Sequence, residues 1–175
     1  MNSSDESTEE AIALLEKIRG RSGNDPQVLV LLMLYHATIV PPKFEQAHLY
    51  ARELEDIAGS NKQVQFEIAK FYATWSTAIK ITFEPDRLKE GMRQQAYKEH
   101  ADNALRMLKE CQRESDDWHH LAAQSHYNKW EYEPALQHIS IAIKLAGVGS
   151  HLGRSYMALR SEILEKRVRY NGKAS

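Results

Sequence analysis

Apolar and small side chains return every three or four residues along nearly the whole chain, a spacing that leaves little room for anything but helices. Ala11, Leu14, Leu15 and Ile18 mark a first helix, which the stretch GRSGNDP stops. Asp25 and Pro26 can start a second, over about 26–39, apolar on nearly every side and ended by VPPK. Such a helix needs cover on more than one side, from its neighbours or from a second copy. Phe44, Ala47, Ala51, Leu54 and Ile57 form the stripe of a third helix, closed by Gly59, while Ile68, Phe71, Tyr72, Trp75 and Ile79 share one face of a fourth. A long fifth helix is expected over about 85–113, with Leu88, Met92, Ala101, Leu105, Leu108 and Cys111 along its buried stripe. Further helices are expected over about 118–129, 133–146 and 150–168, punctuated by Asp116 and Gly147. The fold class is all-α, with about eight helices joined by short turns and arranged as antiparallel pairs.

Within this pattern a longer period is visible. In AAQSHYNKWEYEPALQHISIAIKLA, small Ala123 sits where two helices approach, Tyr132 begins the next helix, and Ala135, Ile139 and Ala142 follow at small, large, small spacing. Shorter echoes are IAKFY at Ile68, Ala69 and Tyr72, LGRSY at Leu152, Gly153 and Tyr156, and KFEQAHLYAREL through Phe44, Ala47, Ala51 and Leu54. These segments resemble the tetratricopeptide repeat (TPR) family, and the resemblance covers most of residues 26–165. It implies a short TPR-like α-solenoid of stacked helix pairs. Ala101 and Ala135 stand one family period apart, but Ala69 and Ala101 are too far apart for one repeat. The excess, about 77–95, reads as an insertion that lengthens a loop and the fifth helix. LGRSY arrives one turn early and has no partner helix after it, so the last helix reads as a cap. The domain is expected to span 11–168, between a disordered acidic N-terminus at 1–10 and a flexible basic tail at 169–175.

Composition narrows the function classes. Among 175 residues, 23 basic and 24 acidic side chains leave a net charge of −1, so nothing global draws the chain to nucleic acid or an anionic membrane. The basic tail, with Lys166, Arg167, Arg169 and Lys173, is a weak phosphate-binding signal, and RNA binding through it and Arg154 is a minor possibility. Cys111 stands alone, which excludes an intrachain disulfide and fits a reducing compartment. It falls near a helix C-terminus, where nothing lowers a thiol pKa, and reads as a small buried residue. The start MNSSDESTEE lacks the basic and apolar regions of a secretion signal, and no apolar run reaches membrane-spanning length. A soluble cytoplasmic protein is expected.

Two chemical readings compete with a binding role. Ile139, Ile141, Ile143 and Leu145 alternate like a strand and lead into Gly147, Gly149 and Gly153, which suggests a nucleotide-binding turn. The glycine spacing is wrong for dinucleotides and no further parallel strand follows, so a tight turn between helices is the better reading. His119, His120, His126 and His138 invite a metal. No pair among them has the spacing of three or four that places two ligands on one helical face, and no metal or other cofactor is assigned.

The TPR resemblance implies a non-enzymatic adaptor or scaffold that holds a peptide or a partner helix along the inner face of the first helices. Matching positions are Leu29, His36, Phe66, Lys70, Thr74, His120, Gln124, Tyr127, Asn128, Arg154 and Met157, with Phe66 and Tyr127 as aromatic anchors. Only Lys70 matches the residue types of the family's chaperone-tail clamp, so an internal peptide or amphipathic helix is the expected partner. A homodimer or a place in a larger complex is compatible with this. The alternative is a helical metal-binding protein or enzyme built on His119, His120, His126 and His138.

Overall fold

The computed structural model describes the backbone of residues 3–81, 87–111 and 114–171, and the side chains at 7–21, 23–80, 94–111 and 114–170. Eight helices and no strand are found among them: α1 (Ser3–Ser22), α2 (Pro26–Thr38), α3 (Phe44–Ala58), α4 (Lys62–Ile81), α5 (Arg87–Cys111), α6 (Asp116–Asn128), α7 (Tyr132–Ala146) and α8 (His151–Asn171). None is long and apolar enough, over the described residues, to cross a membrane.

The boundaries follow local chemistry. Asp25 caps α2 by accepting the Gln27 amide at 2.8 Å, and Pro26 occupies the first turn, where its missing N–H costs nothing. Sequence alone starts α6 at about Trp118 with Asp116 as its cap, but the helix begins at Asp116 and Ser115 is the cap, its hydroxyl accepting the Trp118 amide at 3.4 Å. Gly59 and Gly147 close α3 and α7 with φ of 49° and 81°, a region open to glycine. The Ile139–Leu145 stretch is therefore helical, with Ile139 in the core and Ile141 and Leu145 exposed, so its apparent alternation does not mark a buried face.

Each helix packs on the next, most extensively within α2/α3, α4/α5 and α6/α7, and α4 also touches both α2 and α6 directly. Close approach is possible because small residues occupy the contacts: Ala47, Ala51, Ala69, Ala73, Ala101 and Ala135 are fully buried. Larger side chains fill the spaces between, Leu32, Met33, Leu54, Ile68 and Phe71 in the N-terminal core and Ile139 and Ile163 in the C-terminal one. The two cores meet inside α6, where Ala122 belongs to the first and Ala123 to the second. The apolar α2 is covered by α1, α3 and α4, so its composition needs no second copy of the chain. Arg19 of α1 donates twice to the Glu53 carboxylate, at 2.8 and 2.7 Å, and lies over the Tyr50 ring, whose hydroxyl bonds Glu16.

Two expectations change. The insertion lengthens α4 as well as α5: these helices run 20 and 25 residues, where α2 and α6 have 13 and α3 and α7 have 15. Both limbs of one hairpin grow together, because an extended helix buries its new face only if its partner extends too. Residues 82–86 between them, and the side chains of Leu88 and Met92, lie outside the described residues. At the ends, α1 begins at Ser3 and α8 continues to Asn171, so helix reaches into both stretches read as frayed from sequence.

A half-buried histidine of α5 packs against rings of α3 and α4. His100 stacks on Trp75 with ring centroids 3.7 Å apart, beside Tyr72 and His48, and its Nδ1 has no hydrogen-bond partner among the described residues. Burial, with His48 adding to it, pushes its pKa down from 6.5 to about 4. Between those values the unfolded chain binds a proton that the folded chain refuses, so stability is complete above the upper value and is lost on descending toward the lower. The unfolding temperature should therefore drop as pH falls through this window, and His100→Phe, which keeps the stack, should make the drop shallower in thermal melts. An unchanged slope would show that His100 is not responsible. A packing test is available at the α7–α8 turn, where a Cβ on Gly153 would meet the Gly147 carbonyl oxygen at 2.1 Å. Gly153→Ala should cost about 1–3 kcal/mol in urea unfolding, whereas Gly149→Ala, with open space around it, should be nearly neutral.

Candidate functional site

The eleven inner positions read from sequence divide into a buried set and an accessible set. Leu29 is fully buried, Phe66 is 2 % exposed, Asn128 1 %, Tyr127 5 % and His36 7 %. Phe66 and Tyr127 are thus core residues and present no aromatic anchor to a partner. His36 stacks on Tyr50 at 5.6 Å, and burial lowers its pKa. Lys70, Thr74 and Arg154 are exposed, and His120, Gln124 and Met157 are half-buried. Lys70 pairs with Glu67 one turn back at 3.1 Å, and Arg154 donates to the Gly149 carbonyl at 2.8 Å.

Three of the predicted residues converge on one polar network between α4, α6 and α8. The Asn128 amide donates to Ser76 Oγ at 3.0 Å and to Thr77 Oγ1 at 3.1 Å. Gln124 donates to the same Thr77 oxygen at 2.9 Å. Lys80 Nζ donates to Asn128 Oδ1 at 3.4 Å and lies 3.6 Å from the centre of the Tyr127 ring, a cation–π contact. The Tyr127 hydroxyl donates to Glu162 of α8 at 2.7 Å. Burial pushes the Lys80 ammonium down to about 8, Glu162 opposing the shift and Lys166 adding to it. Burial and the bond to Glu162 hold Tyr127 well above its ordinary value. Sequence reasoning missed Ser76, Thr77, Lys80 and Glu162. The available signal was YATWSTAIK, in which Ser76, Thr77 and Lys80 interrupt an apolar run and share one side of the helix.

The four-histidine group is not one group. His120 turns toward α8, stacking on Tyr156 at 4.7 Å, and burial lowers its pKa against the pull of Asp116 and Asp117. Tyr156 in turn donates to Asp116 at 3.2 Å. The other three line a pocket of about 680 Å³ on the opposite side of α6, walled by Leu105, Leu108 and Lys109 of α5, Glu114, Trp118 and Ala122. There His119 Nδ1 and His138 Nδ1 are 3.0 Å apart, and His126 lies parallel to His138 with ring centroids 5.5 Å apart and planes 9° apart. His126 Nδ1 donates to Glu131 at 2.6 Å, and Glu131 also accepts from Lys129 at 2.7 Å. Burial, with His126 and His119 alongside, pushes His138 down to about 4, which keeps it neutral near pH 7. Among the described residues no group of three or more His, Cys, Asp and Glu side chains is placed to hold a metal ion. Cys111 is fully buried, with Sγ donating to the Leu108 carbonyl at 3.3 Å.

Asn128 is the hub of the inner network, with its amide donating twice and its carbonyl accepting once. Replacing it with Leu should cost about 1–3 kcal/mol, since buried groups would lose their partners, and Asn128→Leu should melt below the parent in thermal unfolding by circular dichroism. Equal stability would mean that the network contributes nothing net.

Compared with known proteins, the chain matches no family model, no curated protein and no solved structure.

Proposed function

We propose that this chain is a non-enzymatic adaptor or scaffold of the TPR-like kind, holding a peptide or partner helix along the inner face of α2, α4, α6 and α8. The observation that carries this reading is the direct contact of α2 with α4 and α4 with α6, each of them also paired with the helix that follows. Helix pairs stacked through their first members leave one side of those members open along the array. Lys70, Thr74, His120, Gln124, Arg154 and Met157 supply the accessible side chains there. The surface is mainly polar, with the Lys70–Glu67 pair at one end, Arg154 at the other and Met157 as its apolar element. Below it, the Asn128–Thr77–Gln124 network fixes the spacing of α4 and α6, so the face is rigid before a partner arrives. A mixed face of this kind suits an internal peptide or an amphipathic helix showing acidic side chains to Lys70 and Arg154. The setting proposed is intracellular, as a homodimer or within a larger complex.

The test is affinity capture with the full chain beside a Lys70→Glu, Thr74→Arg variant, both positions being exposed and outside the network, with folding of both checked by circular dichroism. A partner held by the parent should be lost from the variant, whose melting temperature should stay close to the parent's. Retention of the same partner by a folded variant would place binding elsewhere.

A further inference from the structure

We propose that His119 and His138 form a two-histidine clamp for a divalent transition-metal cation of the zinc and copper class, seated in the outer pocket between α5, α6 and α7. This goes beyond the adaptor reading, because the pocket lies on the side of α6 away from the proposed partner face.

The two Nδ1 atoms face one another at 3.0 Å across two adjacent helices. Zinc–nitrogen bonds of about 2.0–2.1 Å at a tetrahedral angle place two ligand atoms about 3.3 Å apart. A movement of a few tenths of an ångström thus turns a shared-proton pair into a chelate, the ion displacing the proton and sitting off the line between the nitrogens, toward the pocket. Both rings are held for this. His138 lies against the parallel ring of His126, and His126 is pinned by Glu131. The Trp118 ring stands 4.8 Å from His119 and 5.5 Å from His138, closing the other side. The pocket, about 680 Å³, has room for water to complete the coordination shell. Imidazole donors favour zinc, copper and nickel over magnesium and calcium, which take oxygen ligands. Two protein ligands make a weaker site than the three or four of established zinc centres, and the cation exchanges with solvent.

The juxtaposition also explains why the four-histidine reading fails and a smaller one survives. His119 and His138 are 19 residues apart and on different helices, so no spacing rule within one helix finds them. They meet because α6 and α7 form an antiparallel pair. His120, next to His119 in sequence, points to the α8 side and takes no part.

The experiment uses the full chain without a histidine tag. Zinc affinity is measured by competition with a chromophoric chelator, and copper is added for electron paramagnetic resonance. One ion per chain is expected, with a copper spectrum showing nitrogen coordination. His119→Gln and His138→Gln should each weaken zinc binding about tenfold or more, while His151→Gln, at an exposed position, should leave it unchanged. Zinc should also raise the unfolding temperature of the parent and not that of His119→Gln. Absence of stoichiometric binding by the parent, or equal affinity in a folded His119→Gln variant, would overturn the proposal. Neither result bears on the adaptor reading, whose variants are on the other face.

Discussion

Everything in this molecule depends on helices coming close enough for their backbones to approach one another, and alanine is what permits it. Ala47 and Ala51 of α3, Ala69 and Ala73 of α4, Ala101 and Ala104 of α5 and Ala135 and Ala142 of α7 are all fully buried. A bulkier side chain at any of them would push a pair apart and open voids around Leu54, Ile68 or Ile139. Gly153 is the extreme case, since even a methyl group there would collide with the Gly147 carbonyl.

That close packing makes α6 the pivot of the chain. One part of its surface completes the N-terminal core through Leu121 and Ala122, and another starts the C-terminal core through Ala123 and Tyr127. With its apolar positions committed to the two cores, α6 carries its polar residues in two separate places. Gln124 and Asn128 join Thr77 and Lys80 on one side, and His119 and His126 meet His138 on the other. Both clusters are partly desolvated, which explains why the lysine and histidine pKa values are depressed in each. Desolvation penalises the charged form, and neighbouring hydrogen bonds recover part of that cost.

Helix number, order and approximate limits were legible in the sequence because they rest on local spacing and on caps such as Asp25, Gly59 and Gly147. The burial of Ala69, Ala101 and Ala135 was legible for the same reason. The candidate site was less so. Place in a repeat marks Phe66 and Tyr127 as anchors, yet an aromatic ring between two helix layers can turn inward as readily as outward. Here both turn inward. Spacing assigns the insertion to a loop and α5, whereas α4 is lengthened as well.

By itself the sequence determined that this chain is helical, where its helices stop, and which small residues they meet on, since propensity, capping and periodicity act over a few neighbouring residues. It also determined a near-neutral charge and a single cysteine. Only the tertiary structure decided that His120 parts from His119, that His138 comes within hydrogen-bonding distance of His119, and that Lys80 lies over Tyr127 beside Asn128. Those contacts join residues far apart in the chain, and their geometry depends on how each helix rotates and slides to fill the core, a balance struck across the whole stack at once.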